Sequence, residues 1–227
     1  MNKLPSVTKN LLAINVLMFL ATIVMERQGT DLADLLGLHF FEASDFAPYQ
    51  FVTYMFMHSD ISHLFFNMLA LYMFGGLLEK TWGSKRFLIF YFVCGVGAGL
   101  LQEAVQYYAY VQEGFADIPF VPTQYGYIPM SDFLNLFFTT VGASGAIYGI
   151  LLGFAMTFPN EKMFVFLLPF PIKAKFFVIG YAAIELLLGF TNSNDGIAHF
   201  AHLGGMLFGL LLILFWRNKH KIGGPYV

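Results

Sequence analysis

Charge is scarce in this chain. Of its 227 residues only 11% are Asp, Glu, Lys or Arg, where an ordinary soluble domain carries roughly 25%. That shortage excludes a typical water-soluble globule. The formal net charge of −2, with neither a basic patch nor an acidic tail, gives no footing for a nucleic-acid partner. Cysteine is rarer still: Cys94 stands alone, which excludes an intrachain disulfide and a thiolate metal cluster. There is no internal repeat, no low-complexity tract and no sign of a second domain. What fills the chain instead is apolar, with 58% hydrophobic residues and 28 phenylalanines. A 25.6 kDa globule lacks the interior to bury them, whereas a lipid bilayer accommodates them.

A helix crossing the hydrocarbon needs about 20 mostly apolar residues. Six stretches qualify, over residues 10–25, 58–78, 87–109, 144–158, 174–191 and 196–216. The expected fold class is therefore an all-α membrane protein, a six-transmembrane-helix bundle forming one domain over residues 1–227. The first stretch has Lys9 before it and Glu26 after it and no small-residue cleavage site, so it reads as a retained span rather than a signal peptide.

Lysine and arginine mark the cytoplasmic side. With the N-terminus inside and six spans alternating, Lys3, Lys9, Lys80, Lys85, Arg86, Lys162, Lys173, Lys175, Arg217, Lys219 and Lys221 all fall inside, and Arg27 alone falls outside. No Lys or Arg occurs between Phe87 and Glu161, which assigns residues 110–143 to the external face. Both termini are then cytoplasmic, and the compact form suits a bacterial cytoplasmic membrane. Residues 26–57 interleave acidic positions with Leu35, Leu36, Leu38, Phe40 and Phe41, the pattern of a segment lying in the membrane interface. Residues 110–143 carry Pro119, Pro122, Gly126 and Pro129 among aromatics, too broken for a helix, and are expected to pack on or dip into the membrane surface.

In hydrocarbon an unsatisfied polar group costs several kcal/mol, so polar residues inside spans are the informative ones. His63 and Asn67 are spaced i, i+4 near the external end of the second span and share a helix face. They could equally be interhelical hydrogen-bonding residues. Ser144 stands where the irregular Val141-Gly142-Ala143 segment enters a helix, beside main-chain N–H groups that have no helical partner. The Gly-x-Ser-x-Gly pattern there is short and weak by itself. In the sixth span, His199 and His202 precede Gly204, Gly205 and Gly209. Glycines at 145, 149 and 153 on the fourth span and 205 and 209 on the sixth recur every four residues, and stripes of this kind allow close backbone approach. If the stripes face each other, Ser144 and His202 come within hydrogen-bond reach. A start at Ser144 and an exit near Glu161 makes the fourth span ~26 Å long and sets the serine below the outer surface, while His202 lies ~9 Å inside the external end of its helix. Glu79 reads as a surface anchor at the cytoplasmic boundary. Glu185 reads as a structural acid outside the site.

Together these residues resemble the rhomboid family of intramembrane serine proteases. The resemblance covers nearly the whole chain: His-x-x-x-Asn in the second span (His63, Asn67), Gly-Ala-Ser-Gly opening the fourth (Gly142 to Gly145) and Ala-His-Leu-Gly-Gly in the sixth (Ala201 to Gly205), with Gly209 following. It implies Ser144 as nucleophile and His202 as base, and His63, Asn67 and Gly142 around the oxyanion. It further implies Tyr148 packed on the histidine ring, and it selects His202 of the two histidines, so His199, three residues earlier and nearer the surface, reads as a cavity-rim residue. It also implies transmembrane proteins as substrates. One departure is that the Trp-Arg pair often found in the first external loop is replaced here by Pro48-Tyr49-Gln50-Phe51.

With no carboxylate at suitable depth in the second or sixth span, a serine–histidine dyad is expected, with no cofactor and no metal. Three rival readings are a non-catalytic relative that binds or chaperones membrane helices, a metal site drawn from His58, His63, His199 and His202, and a proton-coupled transporter. The metal reading lacks a His-Glu-x-x-His motif, and the transporter reading lacks two halves with repeated broken helices.

Overall fold

The computed structural model of the chain describes residues 3–124, 126–136, 138–164, 170–191 and 198–219. The expected first residues of the sixth span, 196 and 197, and Lys221 lie outside them. The main helices are α1 (Ser6–Glu26), α2 (Ile61–Trp82), α3 (Ser84–Gln112), α4 (Ser144–Thr157), α5 (Ala174–Thr191) and α6 (His199–Asn218). All but α4 are long and apolar enough to cross a bilayer. Helix α4 has 14 residues, ~21 Å at 1.5 Å per residue against a hydrocarbon thickness of ~30 Å. It stops at Thr157, short of the expected exit near Glu161.

Capping chemistry sets where α2 begins. Hydropathy alone starts this span at residue 58, but the Asp60 side chain accepts from the His63 N–H at 2.9 Å and caps a helix beginning at Ile61, leaving His58 in the preceding loop. Within α2, residues Leu71–Gly75 form one π-helical turn.

Helices α3, α4 and α6 pack most closely, and their glycines explain why. A Cβ placed on Gly205 would stand 1.8 Å from the Gly145 carbonyl oxygen, and one on Gly149 would stand 3.0 Å from the Gly205 carbonyl oxygen. The expected face-to-face stripes therefore hold for Gly145, Gly149 and Gly205. They do not extend to Gly153, which faces Trp82 and Phe90, or to Gly209, which faces Cys94 and Phe90. Helix α3 supplies a third wall of small residues, so Gly204 lies against Ala98 while its neighbour Gly205 lies against α4. With backbones this near, dispersion between the helices takes over the cohesive role that water exclusion plays in soluble cores. Helices α1 and α5 are more peripheral, with 17% of their span residues buried within the protein against 50% in α6.

The two long loops, 26–57 and 110–143, differ from the expectation of interfacial segments. Leu38, Phe40, Met55 and Met57 are fully buried, so residues 26–57 insert into the protein's own core rather than resting only at the lipid interface. Strand β1 (Leu38–His39) pairs antiparallel with Thr139–Thr140, tying this loop to the segment before Ser144. Between them a hairpin of Phe120–Thr123 and Gly126–Pro129 leads into a short helix, Met130–Leu134. Met130 and Leu134 pack with Phe40 and Ala43 in a small second core. At the position of the missing Trp-Arg pair, buried Gln50 anchors the loop: its side-chain oxygen accepts from the His39 and Ala47 N–H groups at 3.3 and 3.1 Å, and its amide donates to the Asp45 carbonyl at 3.0 Å.

Glu79 is not a surface anchor. It is buried, and its carboxylate accepts from the Val7 and Thr8 N–H groups at 3.0 and 2.7 Å, and from the Thr8 and Ser84 hydroxyls at 2.7 and 2.6 Å. It thus caps the first turn of α1 from the end of α2 and reaches the start of α3. The unpartnered N–H groups of a helix terminus and the positive end of its dipole give that carboxylate its place. Glu103 does similar work at the opposite end of α3, accepting from the Phe41 N–H at 2.9 Å.

Candidate active site

Ser144 is the first residue of α4, and the helix's first internal turn closes with Ile147 N–H on the Ala143 carbonyl at 3.0 Å. The N–H groups of Ser144, Gly145 and Ala146 precede that bond. His202 stands in the first turn of α6, nearer the helix start than the expected ~9 Å depth, because α6 begins at His199. The close contact of Gly145 and Gly205 brings the two helices together at this level, and His202 Nε2 lies 2.8 Å from Ser144 Oγ. The Tyr148 ring, one turn after the serine, stacks on the His202 imidazole with centroids 4.0 Å apart and planes 7° apart. This is the packing that the resemblance implied.

Both side chains open onto a cavity of about 940 Å³, whose lining includes His63, Asn67 and Phe74 on α2, Tyr148 on α4 and Phe177 on α5. Its size is at the upper end of that of ordinary ligand clefts. His63 Nδ1 lies 3.1 Å from the Ser59 hydroxyl, and the other edge of the ring faces Gly142. Asn67 donates one amide N–H to the His63 carbonyl at 3.1 Å, which leaves its second N–H available to a ligand. Just outside the span, His58 sits buried and edge-on to His63 with centroids 5.0 Å apart. Burial, reinforced by His63, lowers its pKa to about 4 and keeps it neutral. Asp60 is held well below the usual carboxylate range by hydrogen bonds from Ser62, the His63 N–H and Ser59.

Three expectations change. The N–H of Gly142 donates to the Tyr54 carbonyl at 2.9 Å, so it is engaged and cannot serve as an oxyanion donor. Gly142 is required for a different reason: its φ is +131° and a Cβ there would meet the His63 ring at 2.8 Å. His199 is not at the cavity rim but buried, with Nδ1 2.6 Å from Glu185 Oε2. Glu185 is not remote from the site. The same Oε2 lies 3.0 Å from His202 Nδ1, off the axis of an aligned hydrogen bond, and Oε1 accepts the Tyr148 hydroxyl. A carboxylate therefore does stand beside His202, carried by the fifth helix rather than by the second or sixth.

The buried residues of α5 are Ala174, Val178 and Glu185, spaced i, i+4 and i+11 along one helical face. That spacing is the sequence signal that could have turned Glu185 inward. Glu185, His199 and His202 also offer three metal-ligand atoms within 4.8 Å of one another. Around a tetrahedral Zn²⁺ with bonds of 2.0–2.2 Å, ligand atoms stand roughly 3.4 Å apart. The 2.6 Å between His199 and Glu185 is instead a hydrogen-bond distance, so these groups are drawn together around shared protons.

Comparison with known proteins covers the part of the chain that holds these residues. Residues 45–219 match the family model described as the Rhomboid domain. The chain is 30% identical over 179 residues to Rhomboid protease AarA of Providencia stuartii, covering 74% of this chain and 56% of that protein. It is 25% identical over 186 residues to Rhomboid-like protease 3 of Toxoplasma gondii, covering 82% and 58%. With Rhomboid protease GlpG of Haemophilus influenzae the identity is 24% over 209 residues, covering 90% and 88%. The matched part thus spans little more than half the length of the first two relatives and most of the third.

Proposed function

The chain belongs to the rhomboid family, and from that membership and the geometry around Ser144 we propose that it is an intramembrane serine endopeptidase cleaving transmembrane segments of other membrane proteins near the external face. The observation that carries the reading is the 2.8 Å contact between His202 Nε2 and Ser144 Oγ at the wall of a cavity that reaches membrane depth. Ser144 Oγ attacks the scissile carbonyl as its proton passes to His202 Nε2. The tetrahedral intermediate collapses when the imidazolium returns that proton to the leaving amine, and water repeats the sequence on the acyl-enzyme. The Ser144 N–H, the free Asn67 N–H and the His63 ring are the donors for the oxyanion, where loss of one donor typically costs about 10²–10³ in turnover. A substrate helix has to unwind locally to present its carbonyl, which favours segments with glycine or proline near the external end.

We place the molecule in a bacterial cytoplasmic membrane as a six-span protein with α4 as the short, central span and both termini inside. Eleven of the twelve basic residues then lie on one side.

A serine-directed fluorophosphonate applied to the protein in liposomes tests the assignment. Wild type is expected to label, whereas Ser144→Ala and His202→Ala do not label and do not cleave a transmembrane substrate. Equal labelling of all three proteins, or none of a folded wild type, removes the protease reading and favours a helix-binding relative. Cleavage that stops on addition of a chelator points to a metal-dependent site instead.

A further inference from the structure

Glu185 is a buried carboxylate contributed by the peripheral helix α5, and three hydrogen-bond donors converge on it. Tyr148 O–H donates to Oε1, while Nδ1 of His199 and Nδ1 of His202 stand 2.6 and 3.0 Å from Oε2. Burying a charge in this environment is costly unless each lone pair finds a donor. An ionised carboxylate accepts only, so around it both imidazoles carry their proton on Nδ1. His202 Nε2 is then left with a lone pair, 2.8 Å from the Ser144 hydroxyl. Were Glu185 a neutral acid, its O–H could donate to a ring nitrogen, and a His202 receiving that bond would carry its proton on Nε2, unable to accept the serine's.

Building on the protease reading above, we propose that Glu185 is the positioning residue for the base, making the site a Ser144–His202–Glu185 arrangement in which the fifth helix fixes the tautomer of His202 and stabilises the imidazolium formed during attack. His199 and Tyr148 are the two further donors that keep this carboxylate ionised and aimed. Tyr148 does so while stacking on the ring it helps to orient. The off-axis His202 contact is the geometry of a resting site, since catalytic hydrogen bonds often align only with substrate bound.

The test combines kinetics with a tautomer measurement that needs no turnover. For a transmembrane substrate in liposomes, Glu185→Gln is expected to lower kcat by about 100-fold or more with KM within about twofold, because the tautomer and the charge are lost but the cavity is not. Glu185→Asp, which keeps the charge on a shorter side chain, recovers part of that loss. In ¹⁵N-histidine spectra of the wild type, with His202 identified by the signal absent from His202→Ala, the resonance is expected to be that of the Nδ1–H tautomer. A kcat for Glu185→Gln within threefold of wild type, or an Nε2–H tautomer in the wild type, overturns the proposal. If the glutamine variant does not fold, the wild-type spectrum decides alone. A wild type that carries the Nδ1–H tautomer yet neither labels nor cleaves would count against the protease reading and not against the positioning of His202.

Discussion

At the scale of single residues, the polar side chains divide by whether their partner is local or distant. His63 and Asn67 are readable because one helix sets their relation: the i, i+4 spacing puts both on one face, and the Asn67 amide indeed reaches the His63 carbonyl. Gly142 is recognisable as special but not for the right reason, since only the folded chain shows its N–H engaged by Tyr54 and its missing Cβ making room for His63. Glu79 and Glu103 defeat sequence reasoning, and the spacing that turns Glu185 inward does not name what it meets, because the donors that make each carboxylate tolerable come from other elements. Asn67→Ala belongs at this scale. With one amide donor gone from the oxyanion, cleavage rate is expected to fall by about 10²–10³ while substrate binding stays nearly constant. Steady-state kinetics with a binding assay on a Ser144→Ala background checks it, and a defect confined to affinity would falsify the oxyanion role.

At the scale of elements, helix limits follow local chemistry and helix pairing follows the absence of side chains. Asp60 starts α2 three residues later than hydropathy does, because a capping carboxylate satisfies the first-turn N–H groups. The glycine period of four is visible in the sequence, but a period does not say which neighbour the stripe meets. Gly153 and Gly209 meet Phe90 of α3 instead. Two glycine-to-alanine changes separate these roles. Gly205→Ala places a methyl 1.8 Å from a carbonyl oxygen that no rotamer change can relieve. Helices α4 and α6 must part, with an expected cost of at least 1–3 kcal/mol and a large loss of activity as Ser144 and His202 separate. Gly180→Ala meets nothing within 4 Å and is expected to leave both melting temperature and cleavage unchanged or slightly improved. Similar effects from the two changes in a thermal-stability and activity comparison would contradict the packing assigned here.

At the scale of the whole molecule, stability should depend on pH through His58. Its pKa in the folded protein is about 4 against an ordinary 6.5, so its neutral form is favoured by folding. That contribution is fully present above about pH 6.5 and is lost progressively as pH falls towards 4, because over this range the unfolded chain takes up a proton that the folded chain refuses. The difference is worth about 3 kcal/mol. The charged or titratable neighbours are His63, which reinforces the lowering, and Asp60, which opposes it. Thermal melts of wild type and His58→Phe between pH 7 and 4 give the comparison: the wild type is expected to lose melting temperature on acidification more steeply than the variant. Parallel slopes would assign the acid sensitivity to other groups.

The sequence by itself determined the solvent, the helical class and the run of apolar stretches, and it singled out Ser144 and His202 as candidates. Each of these is written in local composition or in a spacing along one helix. The distribution of lysine and arginine likewise needs no folded structure to be read as an orientation. Tertiary structure alone decided that Ser144 and His202 stand 2.8 Å apart, that Glu185 rather than solvent or backbone faces the base, and that Gly142 yields space rather than a proton donor. The physical reason is common to all three. In a low-dielectric interior a polar group is placed by the partner that satisfies it, and here those partners lie across helix interfaces that no pattern along a single helix can encode.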